Sequence, residues 1–98
     1  MIELTDKTFG IVANSSGPFI VGFYAEYCGS CKATHKVLRE IQDHIDCRIG
    51  LVDGGKCLGL AKQYKISAVP TIILFWDGIE TERITGQVKQ QVIESLLE

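Results

Sequence analysis

The sequence predicts an α/β fold, a mixed central sheet with helices on both faces. Three observations predict it. Strand-like and helix-like segments follow each other in the order β-α-β-α-β-α-β-β-α. Strands separated by helices imply a parallel portion with right-handed crossovers. One segment, Phe19 to Ala25, is an uninterrupted apolar run bounded by turn signals, the pattern of a strand that meets water on neither face. Near the other end, Asp77-Gly78 separates two strand patterns, which marks an antiparallel hairpin.

Each element has its own signal. Ile2-Glu3-Leu4 reads as a short strand. Thr5 then suits a helix N-cap and Asp6 the first turn, where a negative charge favours the dipole. That helix is predicted to reach Asn14, with Phe9, Val12 and Ala13 inward, until Asn14-Ser15-Ser16-Gly17-Pro18 breaks it. Phe19–Ala25 is the central strand. From Ser30 onward, Thr34, Val37, Leu38, Ile41 and Ile45 form one apolar stripe, and Lys32, Lys36, Arg39, Glu40 and Asp43 form the wet face. Cys47 to Val52 is the next strand. A short helix follows Gly54-Gly55, with Cys57, Leu60, Ala61 and Tyr64 on one side. Thr71–Trp76 and Glu80–Thr85 make the hairpin, and Gln87–Leu97 a closing helix that buries Val88, Val92, Ile93 and Leu96.

Composition narrows the function. The 98 residues are 46% hydrophobic and 22% charged, which suits one domain over residues 1–98 with one core. Ten basic against 12 acidic residues give a net charge of −2. No basic patch is present for nucleic acid or an anionic membrane, and no apolar run approaches the ~20 residues of a membrane helix. The start of the chain lacks a basic segment followed by an apolar one, so a cytoplasmic home is expected. In that compartment four cysteines are not a disulfide framework, and close pairs are catalytic or metal-binding.

Cys28-Gly29-Ser30-Cys31 is such a pair, placed where a buried strand ends and a helix begins. The first helical turn has unpaired N–H groups and the positive end of the dipole. A thiolate there gains over the thiol, so its nucleophilic fraction rises. The three-residue offset brings the two sulfurs within disulfide reach. Cys28, at the cap, can attack a disulfide, and Cys31, deeper, can attack the mixed disulfide and release the product. A zinc site would need two further ligands, and Cys47 and Cys57 lie on separate elements, so no metal is expected.

The stretch Phe23-Tyr24-Ala25-Glu26-Tyr27-Cys28-Gly29-Ser30-Cys31-Lys32 resembles the active-site segment of the thioredoxin family, a standard illustration of this thiol tuning. Val69-Pro70-Thr71 resembles that family's cis-proline loop, Phe75-Trp76-Asp77-Gly78 its hairpin, Gly86 the glycine before its last helix, and Leu4-Thr5-Asp6 its opening. The resemblance spans nearly the whole chain in order. It implies the thioredoxin fold, Cys28 as attacking thiolate and Cys31 as resolving thiol. It also implies a cis Val69–Pro70 bond against the disulfide, whose backbone pairs with an extended substrate chain, and room for substrate at Gly86.

The sequence departs from the family at several points. Ser30 stands where most thioredoxins have proline, and its hydroxyl can reach a sulfur, so a somewhat less reducing couple is expected. Tyr24 and Tyr27 replace the two flanking tryptophans. Gly22 stands in place of a buried aspartate thought to move the proton of the resolving thiol, and apolar Ile49 falls near the place of its lysine partner. Losing both is consistent, since either charge alone is costly to bury. Glu26 is then the nearest carboxylate in sequence, with a solvated side chain as its plainer reading.

Among the remaining residues, Cys47 and Cys57 read as core thiols, with a regulatory role as the alternative for Cys57. His35 and His44 read as solvated. The function expected is protein-disulfide reduction. Disulfide-bearing proteins would be the substrates and a thioredoxin reductase-like enzyme the electron donor. The dithiol itself is the redox group, without organic cofactor, and a monomer is expected. The alternatives are a glutaredoxin-like or partner-specific redox carrier, and a non-catalytic module that binds protein through the Val69–Pro70 groove.

Overall fold

A computed structural model describes residues 1–98. The elements are β1 (Ile2–Leu4), α1 (Gly10–Ala13), β2 (Pro18–Tyr24), α2 (Gly29–His44), β3 (Arg48–Asp53), α3 (Leu58–Gln63), β4 (Thr71–Trp76), β5 (Ile79–Thr85) and α4 (Gln90–Leu96). One five-stranded sheet has the order β1-β3-β2-β4-β5. β3 runs parallel to both β1 and β2, while β2–β4 and β4–β5 are antiparallel.

The apolar run of β2 occupies the middle of the sheet, as its pattern requires. Its side chains alternate between two cores. Phe19, Val21 and Phe23 join Phe9, Val12 and Leu60 on the face covered by α1 and α3. Ile20 joins Leu38, Ile41 and Ile93 on the face covered by α2 and α4. Phe19 and Phe23 are fully buried, each worth roughly 2–3 kcal/mol of apolar burial. The fold class and the element order are those the sequence predicts.

Register fixes where the site forms. Phe23 pairs with Thr71, and Thr71 with Thr85. The exit of β2, the entry of β4 and the exit of β5 therefore share one end of the sheet. Cys28, Pro70 and Gly86 all follow or precede those positions by a few residues.

Several boundaries differ from the sequence reading, most of them by one residue. The first helix is only Gly10–Ala13. Residues 5–9 instead form successive turns, in which Thr8 and Phe9 N–H groups donate to the Thr5 carbonyl. Thr5 still acts locally, since its hydroxyl accepts from Lys7 N–H and its N–H donates to Thr8 Oγ1. Ala13 is exposed. The last helix starts at Gln90, because Lys89 stays extended while Val88 packs on the core. Val92 is 45% exposed, and Ile93 alone in that helix is fully inward. Cys47 falls just before β3 and is half-buried.

Asp77 and Gly78 both adopt positive φ, 53° and 82°, the requirement of a two-residue hairpin turn that matches sheet twist. A Cβ on Gly78 would strike the Ala13 carbonyl. The Asp77 carboxylate and N–H both bond the backbone of Gly17, which ties the hairpin to the entry of β2. No helix is long and apolar enough to cross a membrane.

Candidate active site

Cys28 ends the loop after β2 and is the N-cap of α2, with extended φ and ψ of −95° and 105°. Its sulfur accepts the Cys31 N–H at 3.2 Å, so one of the orphan donors of the first turn is satisfied by sulfur. Cys31, one turn on, is buried while Cys28 is half-buried. The two form a disulfide with Cα atoms 5.3 Å apart. Sequence spacing thus predicted both the pairing and the inequality of the partners.

Around the pair, Ser30 Oγ lies 3.4 Å from Cys28 Sγ. The disulfide sulfur carries no hydrogen, so the hydroxyl is the donor. Gly29 is exposed, and a Cβ there would meet nothing. Tyr27 projects into solvent, 96% exposed, with φ 63°. A left-handed backbone at a tyrosine costs roughly 1–2 kcal/mol and turns the chain sharply into Cys28. Glu26 is exposed and makes no hydrogen bond or ion pair, the solvated state.

Val69–Pro70 is a cis peptide, with Pro70 buried and Val69 half-buried. The Pro70 carbonyl accepts the Gly86 N–H at 2.8 Å. Gly86 has φ 92°, where glycine is at home, and a Cβ built on it would meet nothing, so this flank is open. An apolar hollow of about 180 Å³ lies beside Val69, floored by Tyr24, Ala25, Ala61 and Ile66.

A second cleft, of about 230 Å³, runs along the other side of the pair between Tyr24–Cys28 and α2. Cys31, Lys32 and His35 line its helical wall. His35 corrects the sequence reading of a solvated side chain. Its ring meets Tyr24 edge-on, centroids 4.9 Å apart, and its Nε2 is buried without a partner. Burial, then the Arg39 charge, holds this imidazole below its ordinary value, against an opposite pull from Glu3. Its spacing, four residues after Cys31, puts both on one side of the helix, but what covers the ring is Tyr24 from β2. Tyr24 donates to Glu3 Oε2 at 2.9 Å, and burial, then that bond, raises its phenol.

Gly22 has a packing reason. A Cβ there would lie 3.2 Å from Leu38 Cδ1 and 3.3 Å from Leu51 Cδ2, so both leucines would have to give way to any side chain. The other thiols stay away from the pair. Cys47 bonds the Pro18 and Arg48 carbonyls and is pushed up to about 11, chiefly by burial. Cys57 is buried in the core beside α3. No group of three or more His, Cys, Asp or Glu side chains is arranged to hold a metal ion.

Fold and site together define a small α/β protein carrying a vicinal dithiol–disulfide at a helix N-terminus. The thioredoxin family model matches residues 1–98. Chloroplastic thioredoxin Y1 of Arabidopsis thaliana is 35% identical over 106 residues, which cover 97% of this chain and 62% of that protein. Thioredoxin of Mycobacterium tuberculosis is 35% identical over 88 residues, covering 87% of this chain and 76% of that one. A solved mutant thioredoxin from Halobacterium salinarum shares the fold, with TM-score 0.92 over 99% of this chain and 87% of that chain, at 24% identity. The chain belongs to the thioredoxin family.

Proposed function

We propose that this protein reduces disulfides in other proteins. The observation that carries the reading is the Cys28–Cys31 bond itself, one sulfur half-exposed at a helix cap and the other buried one turn away. In the reduced state the cap donors that now face Cys28 Sγ favour its thiolate. That thiolate attacks a substrate disulfide, and one substrate sulfur leaves with the bond's electron pair. Cys31 then attacks Cys28 Sγ, the second substrate sulfur departs, and the Cys28–Cys31 disulfide forms. Two electrons have passed to the substrate, and the dithiol needs no organic cofactor to carry them.

Val69 and Gly86 form the substrate groove in this reading. An extended chain pairs with the Val69 backbone, and the open flank at Gly86 admits its bulk. Gly29, Ser30 and Tyr27 tune and frame Cys28. A reductase of the kind that serves thioredoxins restores the dithiol. The free thiols Cys47 and Cys57 fit a reducing compartment, which supports the cytoplasm as the place of action.

Insulin reduction by dithiothreitol tests the proposal. The native protein should accelerate precipitation of the insulin B chain, and Cys28→Ser should fall to the dithiothreitol background. Equal rates for the two would leave only a binding module.

A further inference from the structure

Resolution requires Cys31 to give up a proton. Cys31 is buried, and an apolar environment holds a thiol in its protonated form. A base beside the thiol would ease that step, and the nearby carboxylates are hydrogen-bonded elsewhere, solvated or absent. Gly22 carries no carboxylate, and a Cβ there would already press on Leu38 and Leu51. Asp53 accepts the N–H groups of Gly55 and Lys56. Glu3 accepts the Tyr24 hydroxyl, and Glu26 lines the mouth of the cleft but is exposed to solvent.

His35 remains. It lies one helical turn beyond Cys31 and lines the same cleft as Cys28 and Cys31. A long side chain on a helix tends to lean back over the preceding turn, which on α2 is the turn that carries Cys31. Tyr24 braces the ring edge-on. Its Nε2 is buried and unpartnered, an arrangement that asks for a cause in a native fold. Resting on the exchange reaction above, we propose that His35 is the base that takes the Cys31 thiol proton in the resolving step.

The balance is simple. The Cys31 S–H bond breaks, its proton passes to the imidazole, and the electron pair stays on sulfur. That sulfur forms the bond to Cys28 as the bond between Cys28 and the substrate sulfur breaks. The departing substrate thiolate takes up the proton, and His35 returns to its neutral form. The surroundings suit the role. Burial and then Arg39 on α2 lower the imidazole, Glu3 on β1 raises it in part, the neutral Tyr24 phenol faces it from β2, and Lys32 and Glu26 share the cleft. The net direction is downward, so the ring is neutral at neutral pH and ready to accept.

The test uses the reduced protein and the aromatic disulfide dithiobis-nitrobenzoate in a stopped-flow mixer. Attack by Cys28 releases one coloured thiolate, and displacement by Cys31 releases a second. Cys31→Ser isolates the first. In the native protein the second release should level off above an inflection below pH 6.5 and slow in more acidic buffer, as the imidazole becomes protonated. In His35→Gln the second release should be about 10²-fold slower at neutral pH and rise about tenfold per pH unit. The first release should be unchanged, and added imidazole should restore part of the second in His35→Ala. A native second phase that climbs tenfold per unit through the alkaline range without levelling overturns the proposal, and so does a native rate in His35→Gln. Absence of the first release would instead overturn the exchange reaction itself.

Discussion

Two cysteines in this molecule cap helices, and they have opposite characters. Cys28 caps the 16-residue α2, accepts the Cys31 N–H and stays half-exposed. Cys57 caps the six-residue α3, makes no side-chain cap bond and lies 6% exposed among Leu4, Phe9 and Leu60. Its thiol is pushed up, first by burial and then by the Asp6 charge. A helix terminus offers a thiolate roughly 0.3–1 kcal/mol. Burying an ionised group without a partner costs several times that. The terminus therefore activates a thiol only where water still reaches the sulfur.

Iodoacetamide labelling of the reduced protein puts that contrast at greatest risk. At pH 8, Cys28 should alkylate first and Cys57 at least ~10³-fold more slowly, because it becomes reachable only in opened states. Cys47 is intermediate. A thiol moved from 9.0 to about 11 has roughly 100-fold less thiolate at that pH. Both free thiols keep their protons as pH rises past the ordinary thiol range, so their labelling should accelerate only in stronger alkali. Peptide mapping by mass spectrometry reads all three sites. Comparable rates at Cys28 and Cys57 would end the contrast.

The same competition between charge and burial governs the buried Gly22 in β2. Gly22→Asp would drive a carboxyl between Leu38 and Leu51, whose methyls already approach to 3.2 and 3.3 Å. With no cation there to pair it, the variant should lose about 3 kcal/mol or more of stability, measured by guanidinium unfolding of the oxidised form. A loss below about 1 kcal/mol would mean that water already reaches this position.

Much of the site was legible because its determinants are local. A strand-to-helix junction, a Cys-x-x-Cys and a proline before an apolar run all lie within a few residues of the atoms they position. The hairpin was legible for the same reason, as Asp77-Gly78 states its own backbone. His35 was not. Its character comes from Tyr24, sequence-distant by half a helix and a loop, which turns a side chain at the edge of the polar face into a covered one. The short first helix was misjudged because Thr5 is a good cap for a turn as well as for a helix. Val92 was misjudged because α4 meets the core along a narrower stripe than its composition suggests.

If Cys57 is a packing residue only, Cys57→Ala should lower stability by about 1–2 kcal/mol and leave insulin reduction at the native rate. A changed turnover with unchanged stability would assign it a redox role.

The smallest effect concerns the hydroxyl beside Cys28. Ser30 Oγ donates to the sulfur at 3.4 Å in the oxidised state. A thiolate accepts such a bond more strongly than a disulfide sulfur does, so the hydroxyl favours the reduced form. A hydrogen bond to a charged group is worth roughly 1.5–3 kcal/mol. At a half-exposed sulfur about 1 kcal/mol is the better figure, which is about 20 mV for a two-electron couple. Ser30→Ala should therefore move the potential down by about that amount, toward a more reducing protein, when equilibrated against glutathione buffers. The Cys31 N–H remains at the cap in the variant, so Cys28 should still be the first thiol to alkylate. An unchanged or raised potential would leave the backbone donors of α2 as the whole source of the stabilisation at Cys28.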